Sequence, residues 1–151
     1  MDIHLKKQVF ESGKLRLEEQ ITNLRSELQQ YKSAVSEETK SSVGDKYETG
    51  RAMLHLEQER LFKQLAEAER LYNLLISLKP DQECHQVQPG SLVETNHGRF
   101  YFAVGLGQIK VEDLTVFGVS LKSPIGQALL SCSVGEEISF QQRTWQVLRI
   151  V

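Results

Sequence analysis

Apolar residues in the first half of the chain recur at a spacing that suits paired helices and few other folds. The first run alternates intervals of four and three residues and comprises Leu17, Ile21, Leu24, Leu28 and Tyr31. The second run keeps the same rhythm and comprises Leu54, Leu61, Leu65, Ala68, Tyr72 and Leu75. A mean period of about 3.5 residues aligns such side chains along one seam of a coiled coil. The pattern therefore predicts two long helices that pack through this seam.

The segment between the two runs, SEETKSSVGDKYETG, has no apolar period. Gly44 and the serines before it are typical of a helix end and a turn. The sequence therefore predicts helices over 2–36 and 46–78. Because the connection is short, we expect antiparallel neighbours, each about 50 Å long, with the connection at the tip of the hairpin.

The composition changes near residue 80. Residues 1–80 contain three of the ten glycines, with 13 basic and 13 acidic residues, whereas the remainder has seven glycines, 5 basic and 7 acidic residues. Pro80 opens a polar stretch typical of a linker. We therefore predict two domains, a helical hairpin over 1–80 and a β-rich domain over 81–151.

The second domain reads as short strands with one helix. Apolar stretches over 92–95 and 99–104 flank the turn signal Asn96-His97-Gly98. Ser123 followed by Pro124 is a strong helix start, because serine caps a helix and proline suits its first position. Further strands are predicted over 108–111, 114–119, 139–140 and 145–150. The fold class is therefore α+β, with a coiled-coil hairpin followed by a small antiparallel sheet and one short helix.

Several function classes are disfavoured by the composition and motifs. The net charge of -2 argues against wrapping nucleic acid by bulk charge. No apolar run is long enough to cross a membrane, and no export signal is evident. We therefore expect a cytoplasmic protein in which Cys84 and Cys132 are reduced thiols. The histidines and cysteines lack zinc-site spacing, and neither a P-loop nor a GxSxG motif is present.

The acidic residues of the predicted tip have two interpretations. Asp45 and Glu48 are three residues apart, which places them on one side of a first helical turn. Paired carboxylates can hold Mg²⁺ and orient a water for attack on a phosphodiester. Asp at an N-cap with Glu at the third helical position also forms a capping box that needs no metal. Both interpretations stay open on residue types alone.

Two motifs carry a resemblance to a known family. Residues 123–130 read SPIGQALL, and residues 134–136 read VGE. At the tip, Gly44, Asp45 and Glu48 match a Gly-Asp-Leu-x-Glu motif. In these residues the chain resembles the Gre transcript-cleavage factors of bacterial RNA polymerase, and its GDKYETGRAM tip resembles divergent Gre-like factors of the Bacteroidetes group. The family usually has Gly-Lys where this chain has Ser131-Cys132.

The resemblance implies an FKBP-like second domain and a role in transcription elongation. On this basis the hairpin enters the secondary channel of RNA polymerase and acts on the 3′ end of a backtracked transcript. Asp45 and Glu48 are implied as the catalytic and metal-binding residues, sharing Mg²⁺ with the polymerase active site. The free protein is expected to be a monomer without bound metal. The resemblance also implies that the chain is not a complete enzyme, since factors of this family stimulate cleavage by the polymerase itself.

Further candidate site residues follow from the same resemblance, and three alternative functions stay open. Lys40, Lys46 and Arg51 are candidates for contact with RNA phosphates, and Pro124 and Ile125 are candidates for docking on polymerase. Because the tip continues Thr-Gly-Arg where the family has Asn-Ala-Glu, a Gre-fold regulator without cleavage activity is the first alternative. A coiled-coil protein that dimerises through residues 1–80 is the second, and a proline isomerase is a third.

Overall fold

The computed structural model describes the backbone of residues 1–40 and 44–151, and the side chains outside 38–48. Helices α1 and α2 come first, and α3 lies between the fourth and fifth of six strands. The bounds are α1 Ile3–Lys40, α2 Gly44–Ile76, β1 Leu92–Thr95, β2 Gly98–Ala103, β3 Gly107–Val111, β4 Leu114–Ser120, α3 Pro124–Leu129, β5 Glu137–Phe140 and β6 Arg143–Ile150. The predicted α+β class is confirmed.

The helix bounds differ slightly from the predicted ones. α1 runs four residues beyond its predicted end at 36, because Glu-rich sequence favours a helix even where no apolar seam is present. α2 ends at Ile76, two residues early, and the hydroxyl of Ser77 donates to the carbonyl oxygen of Leu74 at 2.6 Å. Pro80 follows shortly and disfavours a helical conformation at the residue before it.

The chain divides into two compact units whose limits differ from the predicted domains. One unit contains Leu17–Arg70, and the other contains Met1–Arg16 together with Leu71–Val151. The start of α1 and the end of α2 therefore belong with the sheet. The boundary near residue 80 rests on composition and stays a prediction.

The unit over 17–70 is built on the predicted apolar seam. Its buried side chains are Leu17, Ile21, Leu24, Leu28, Leu61 and Ala68. Burial of apolar side chains that repeat with a seven-residue period stabilises such helix pairs. Isolated helices are only marginally stable in water.

An ion pair joins the two helices. Arg25 of α1 forms it with Glu69 of α2, with an N–O distance of 2.9 Å. Only residues 41–43 separate the end of α1 from the start of α2, and so short a connection requires an antiparallel pair.

The six strands of the other unit form one sheet in the order β3-β4-β2-β1-β6-β5. The hairpin of β1 and β2 has its predicted turn, with Thr95 opposite Gly98. The sheet is mixed, so the prediction of a wholly antiparallel sheet is wrong in one pair, because β2 and β4 run parallel. Here β3 carries the chain to the sheet edge, and β4 returns beside β2, which supplies the crossover that parallel neighbours need.

A cluster of apolar side chains on one side of the sheet forms the core around α3. Its buried members are Val87, Val93, Phe100, Phe102, Leu129, Cys132 and Val147. Trp145 packs at its margin, with ring centroids 5.5 Å from Phe100 and 6.2 Å from Phe140. Val147 is therefore a core residue, and Trp145 covers the margin of the core.

Gly13 and Arg16 of α1 contact the connection between β2 and β3 and the start of β3. Leu106 lies so close to Gly13 of α1 and to Gly118 of β4 that a β-carbon on either glycine would come 2.7 Å from a Leu106 carbon atom. The guanidinium of Arg16 donates to the carbonyl oxygens of Leu106, at 2.5 Å, and Gln108, at 2.8 Å. Two glycines and an arginine therefore hold the β2–β3 connection.

Candidate functional site

The acidic tip is the first candidate site predicted from sequence. α2 begins at Gly44, so Asp45 and Glu48 belong to its first residues. The side chains of Asp45, Glu48, Lys40 and Lys46 lie outside the described residues. Their catalytic, metal-binding and RNA-binding roles stay predictions. The capping interpretation placed Asp45 directly before a helix that begins at residue 46, and it does not fit a helix that already begins at Gly44.

Arg51 is the one predicted RNA-contacting residue whose side chain the structure describes. It is exposed on α2, two turns from the start of the helix. An exposed guanidinium is a suitable phosphate ligand because it presents a rigid fork of N–H donors. Its exposure is compatible with the predicted contact.

The second candidate site is α3, where the local chemistry follows the sequence prediction. The hydroxyl of Ser123 accepts a hydrogen bond from the backbone N–H of Gly126 at 3.1 Å, and Pro124 occupies the first helical position. The same hydroxyl donates to the carbonyl oxygen of Ser120. The start of α3 is therefore tied to the end of β4, and Pro124 has a defined position.

The two predicted docking residues have different environments. Pro124 is exposed, whereas Ile125 is partly buried and packs against the apolar core around Leu129. Ile125 thus has a structural role in addition to any contact with a partner. These positions do not test the prediction of a docking site. Pro124 is more exposed to solvent than Ile125.

Sequence reasoning missed two further apolar residues of the same motif. Leu130, which caps the C-terminus of α3, is 46% exposed, and Val134 is 57% exposed. Leu130 and Val134 therefore add two exposed apolar side chains in the segment that follows Pro124.

Ser131 lies in the left-handed region of backbone space, with a φ of 66°. A residue with a side chain is strained there by about 1 kcal/mol, whereas glycine is not. The glycine usual in the resembling family therefore suits this position better than serine does.

Cys132, the next residue, has a buried thiol, and its electrostatic surroundings disfavour the thiolate anion. Burial raises the pKa of Cys132, and the neighbouring carboxylate of Glu136 raises it further. Glu136 is held in place because its carboxylate accepts a hydrogen bond from the backbone N–H of Ser133 at 2.6 Å. Cys132 thus behaves as a core residue rather than as a nucleophile.

Outside the undescribed tip, no three His, Cys, Asp or Glu side chains are grouped as a metal site requires. In the part of the chain with described structure, no helix combines the length and apolar character needed to span a membrane.

The fold and its α3 site define an α+β protein with two long antiparallel helices and a six-stranded mixed sheet. No protein-family model matches the chain, and no curated protein matches it significantly. Among solved structures, it is similar to the transcription factor Gfh1, with 22% sequence identity and a TM-score of 0.37 over 92% of this chain and 93% of that chain. Similarity at this level assigns no function to the chain.

Proposed function

We propose that this chain is a Gre-like elongation factor that binds bacterial RNA polymerase and stimulates cleavage of backtracked transcripts. The observation that carries the proposal is the pair of long antiparallel helices, the second of which begins with Gly44, Asp45 and Glu48. A regular helix with the 33 residues of α2 is about 50 Å long, which suits insertion through a deep channel. Such a factor acts in the cytoplasm, where the polymerase is found.

The proposed chemistry assigns the two tip acids to the polymerase active site. Carboxylate oxygens are ligands that Mg²⁺ prefers, so Asp45 and Glu48 suit that ion by donor type. Two carboxylates supply fewer ligands than an octahedral ion needs, and the polymerase and waters would complete the set. Mg²⁺ bound there would supply charge stabilisation for phosphodiester cleavage. Lys40, Lys46 and Arg51 would contact the RNA backbone.

The α3 surface is the proposed contact with the polymerase. Pro124, Leu130 and Val134 expose apolar surface at and beyond α3. Exposed apolar residues that a rigid element holds in place are suited to a specific protein contact. Ile125 would support this surface from the core side.

The deciding experiment is transcript cleavage in backtracked complexes of the cognate polymerase. We would compare wild type with Asp45→Asn/Glu48→Gln and with a control, Glu19→Gln/Glu59→Gln, that removes the same charge from two exposed helix positions. Polymerase binding is measured for all three proteins. We expect wild type and control to shorten the RNA, and the tip variant to bind without doing so.

The other outcomes distinguish the alternatives. If all three proteins bind and none shortens the RNA, the chain is a Gre-fold regulator without cleavage activity, as the Thr49-Gly50-Arg51 sequence also suggests. If none binds polymerase, the proposal fails as a whole. A tight dimer in sedimentation experiments would instead favour a coiled-coil interaction protein, since intramolecular pairing of α1 with α2 leads us to expect a monomer.

A further inference from the structure

Five aromatic rings form a continuous row on the face of the sheet that packs against α3, here called the aromatic face. The ring centroid of Phe117 in β4 lies 5.9 Å from that of Phe100 in β2, which lies 5.5 Å from that of Trp145 in β6. The indole of Trp145 continues the row to Phe140 of β5, at 6.2 Å, and to His97, at 4.5 Å. The row therefore extends from β4 to the edge strand β5.

The row is open to solvent along much of its length. Phe117 is 39% exposed, and His97 is exposed as well. Trp145 and Phe140 are half-buried, and only Phe100 between them is buried. The outer rings therefore keep surface on which a flat ligand can stack.

Two basic residues border the row. Because alternate residues of a strand point to the same face, the strand register assigns their side chains. Lys110 lies opposite Thr115, which is two residues before Phe117, and Arg143 is two residues before Trp145. Both cations are exposed, one on the edge strand β3 and the other on β6.

The two acidic residues of the six strands belong to the opposite face. Glu94 forms an ion pair at 2.8 Å with Arg99, which directly precedes Phe100 in β2. Glu137 directly precedes Ile138, which packs against the core cluster on the aromatic face. Among the strand residues, the aromatic face thus has cations and no acid, so its charge is complementary to an anionic ligand.

The indole N–H of Trp145 is an unused hydrogen-bond donor in this row. Its nitrogen is buried and has no partner among the residues that the structure describes. An unpaired buried donor is unfavourable, so an acceptor placed beside it is stabilised. The exposed residue His97 lies against the indole. A planar ligand that takes the place of this ring keeps the stacking contact and can supply the missing acceptor.

We propose that the aromatic face binds single-stranded nucleic acid, with bases stacked on Phe117 and Trp145 and phosphates held by Lys110 and Arg143. Every base has a π-face, so aromatic side chains stack on any sequence, while basic side chains follow the phosphate backbone. An apolar peptide could also pack on the rings, but it would make no use of the two cations. With so few cations the affinity is modest and depends on salt, in keeping with the net charge of -2.

The site is independent of the tip acids and of the proposed polymerase function, and it is tested on the purified full chain. Trp145 is the only tryptophan, so intrinsic fluorescence reports on this face alone. At low salt, we expect a single-stranded RNA of about ten nucleotides to quench this fluorescence in a saturable way. Absence of quenching would overturn the proposal. Quenching by a polyproline peptide of the same length but not by RNA would also overturn it and indicate a peptide partner.

The role of charge is tested with Lys110→Gln/Arg143→Gln. The control is Lys7→Gln/Lys63→Gln, which removes the same charge from exposed helix positions. We expect the first variant to bind RNA at least about tenfold more weakly than wild type, and its slope of log K against log salt to be shallower by about 1.4. The control should keep the wild-type slope. Equal losses in the two variants would contradict the proposal.

The role of stacking is tested with Phe117→Ala, which truncates an exposed ring of the row. Leu15→Ala is the control, because it truncates an apolar side chain of α1 that is also exposed. We expect only Phe117→Ala to weaken RNA binding, by at least about fivefold, with circular dichroism showing that both variants are folded. An unchanged affinity of folded Phe117→Ala would refute base stacking on this ring. Transcript cleavage by these variants is a separate readout, since the tip acids are intact in all of them.

Discussion

The ammonium of Lys6 lies 2.6 Å from the carbonyl oxygen of Gln82, a residue 76 positions further along the chain. This hydrogen bond joins the beginning of α1 to the segment that leads into the sheet. Because hydrogen bonds to a charged donor are worth about 1.5–3 kcal/mol each when buried, the contact is a major link within its unit.

Truncation of this lysine is expected to destabilise the protein. Lys6→Ala leaves buried carbonyl oxygens without their donor and opens a cavity, so we expect a loss of about 3 kcal/mol in the free energy of unfolding. Lys7→Ala removes the same charge from an exposed position and should change it by less than about 0.5 kcal/mol. Urea unfolding of both variants checks this, and equal losses would show that burial of Lys6 is unimportant.

A methyl group at Gly126 is expected to destabilise α3, although alanine is the better helix former. The new β-carbon would lie 2.8 Å from the α-carbon of Leu121 and closer still to the carbonyl oxygen of Ser120, which are backbone atoms that cannot rotate away. We expect Gly126→Ala to lower the free energy of unfolding by about 2 kcal/mol. Gly105→Ala is the control, since nothing lies within 4 Å of its β-carbon position. Thermal unfolding distinguishes the two, and a stabilised Gly126→Ala would refute the close packing.

Ser131→Gly is expected to stabilise the protein. With a φ of 66°, Ser131 has the backbone conformation that glycine adopts without strain. The relief of strain outweighs the extra entropy of the unfolded chain, so we expect a gain of about 0.5–1 kcal/mol. Ser133→Gly, two residues on and without a left-handed φ, should lose a similar amount. Chemical denaturation measures both changes, and two losses would contradict this account.

Acid is expected to weaken the start of α1. The carboxylate of Asp2 accepts a hydrogen bond from the backbone N–H of Leu5 at 2.9 Å, and this bond lowers the pKa of Asp2. Because the folded pKa lies below the unfolded one, the stabilisation is present above about pH 4 and is lost as the pH falls through the folded pKa. Asp2→Asn keeps a capping side chain but cannot titrate.

The pH effect is checked by unfolding wild type and Asp2→Asn between neutral and acidic pH. The difference in stability between the two proteins should shrink as the pH falls below about 4. A constant difference over that range would show that Asp2 does not titrate differently in the folded state.

The free protein is expected to bind Mg²⁺ poorly. Mg²⁺ dehydrates reluctantly, and Asp45 with Glu48 supplies only two carboxylates for an ion that needs about six ligands. Calorimetric titration of wild type should therefore give no tight binding, with Asp45→Asn/Glu48→Gln as the reference. Tight binding that the double variant loses would show that the tip assembles a metal site before it meets a partner.

The helices and the start of α3 could be read from sequence because their causes are local. The seam of Leu17, Ile21, Leu24 and Leu28 is periodic along the chain, and the Ser123 cap and the 96–97 turn involve residues three positions apart or fewer. Spacing and backbone preference are properties of short segments, so they are visible without knowledge of the partners. The roles of Asp45 and Glu48 rest on residue types, so they stay predictions.

The pairing of β2 with β4 and the burial of Lys6 were not visible in this way. Strand partners depend on which distant segments meet, and a parallel pair needs a crossover that no local motif specifies. Lysine side chains are almost never fully buried, so nothing in the sequence signals the burial of Lys6. Only the approach of Gln82, Cys84 and Val151 supplies enough acceptors to compensate the loss of water around the ammonium, which is why its environment emerges with the assembled fold.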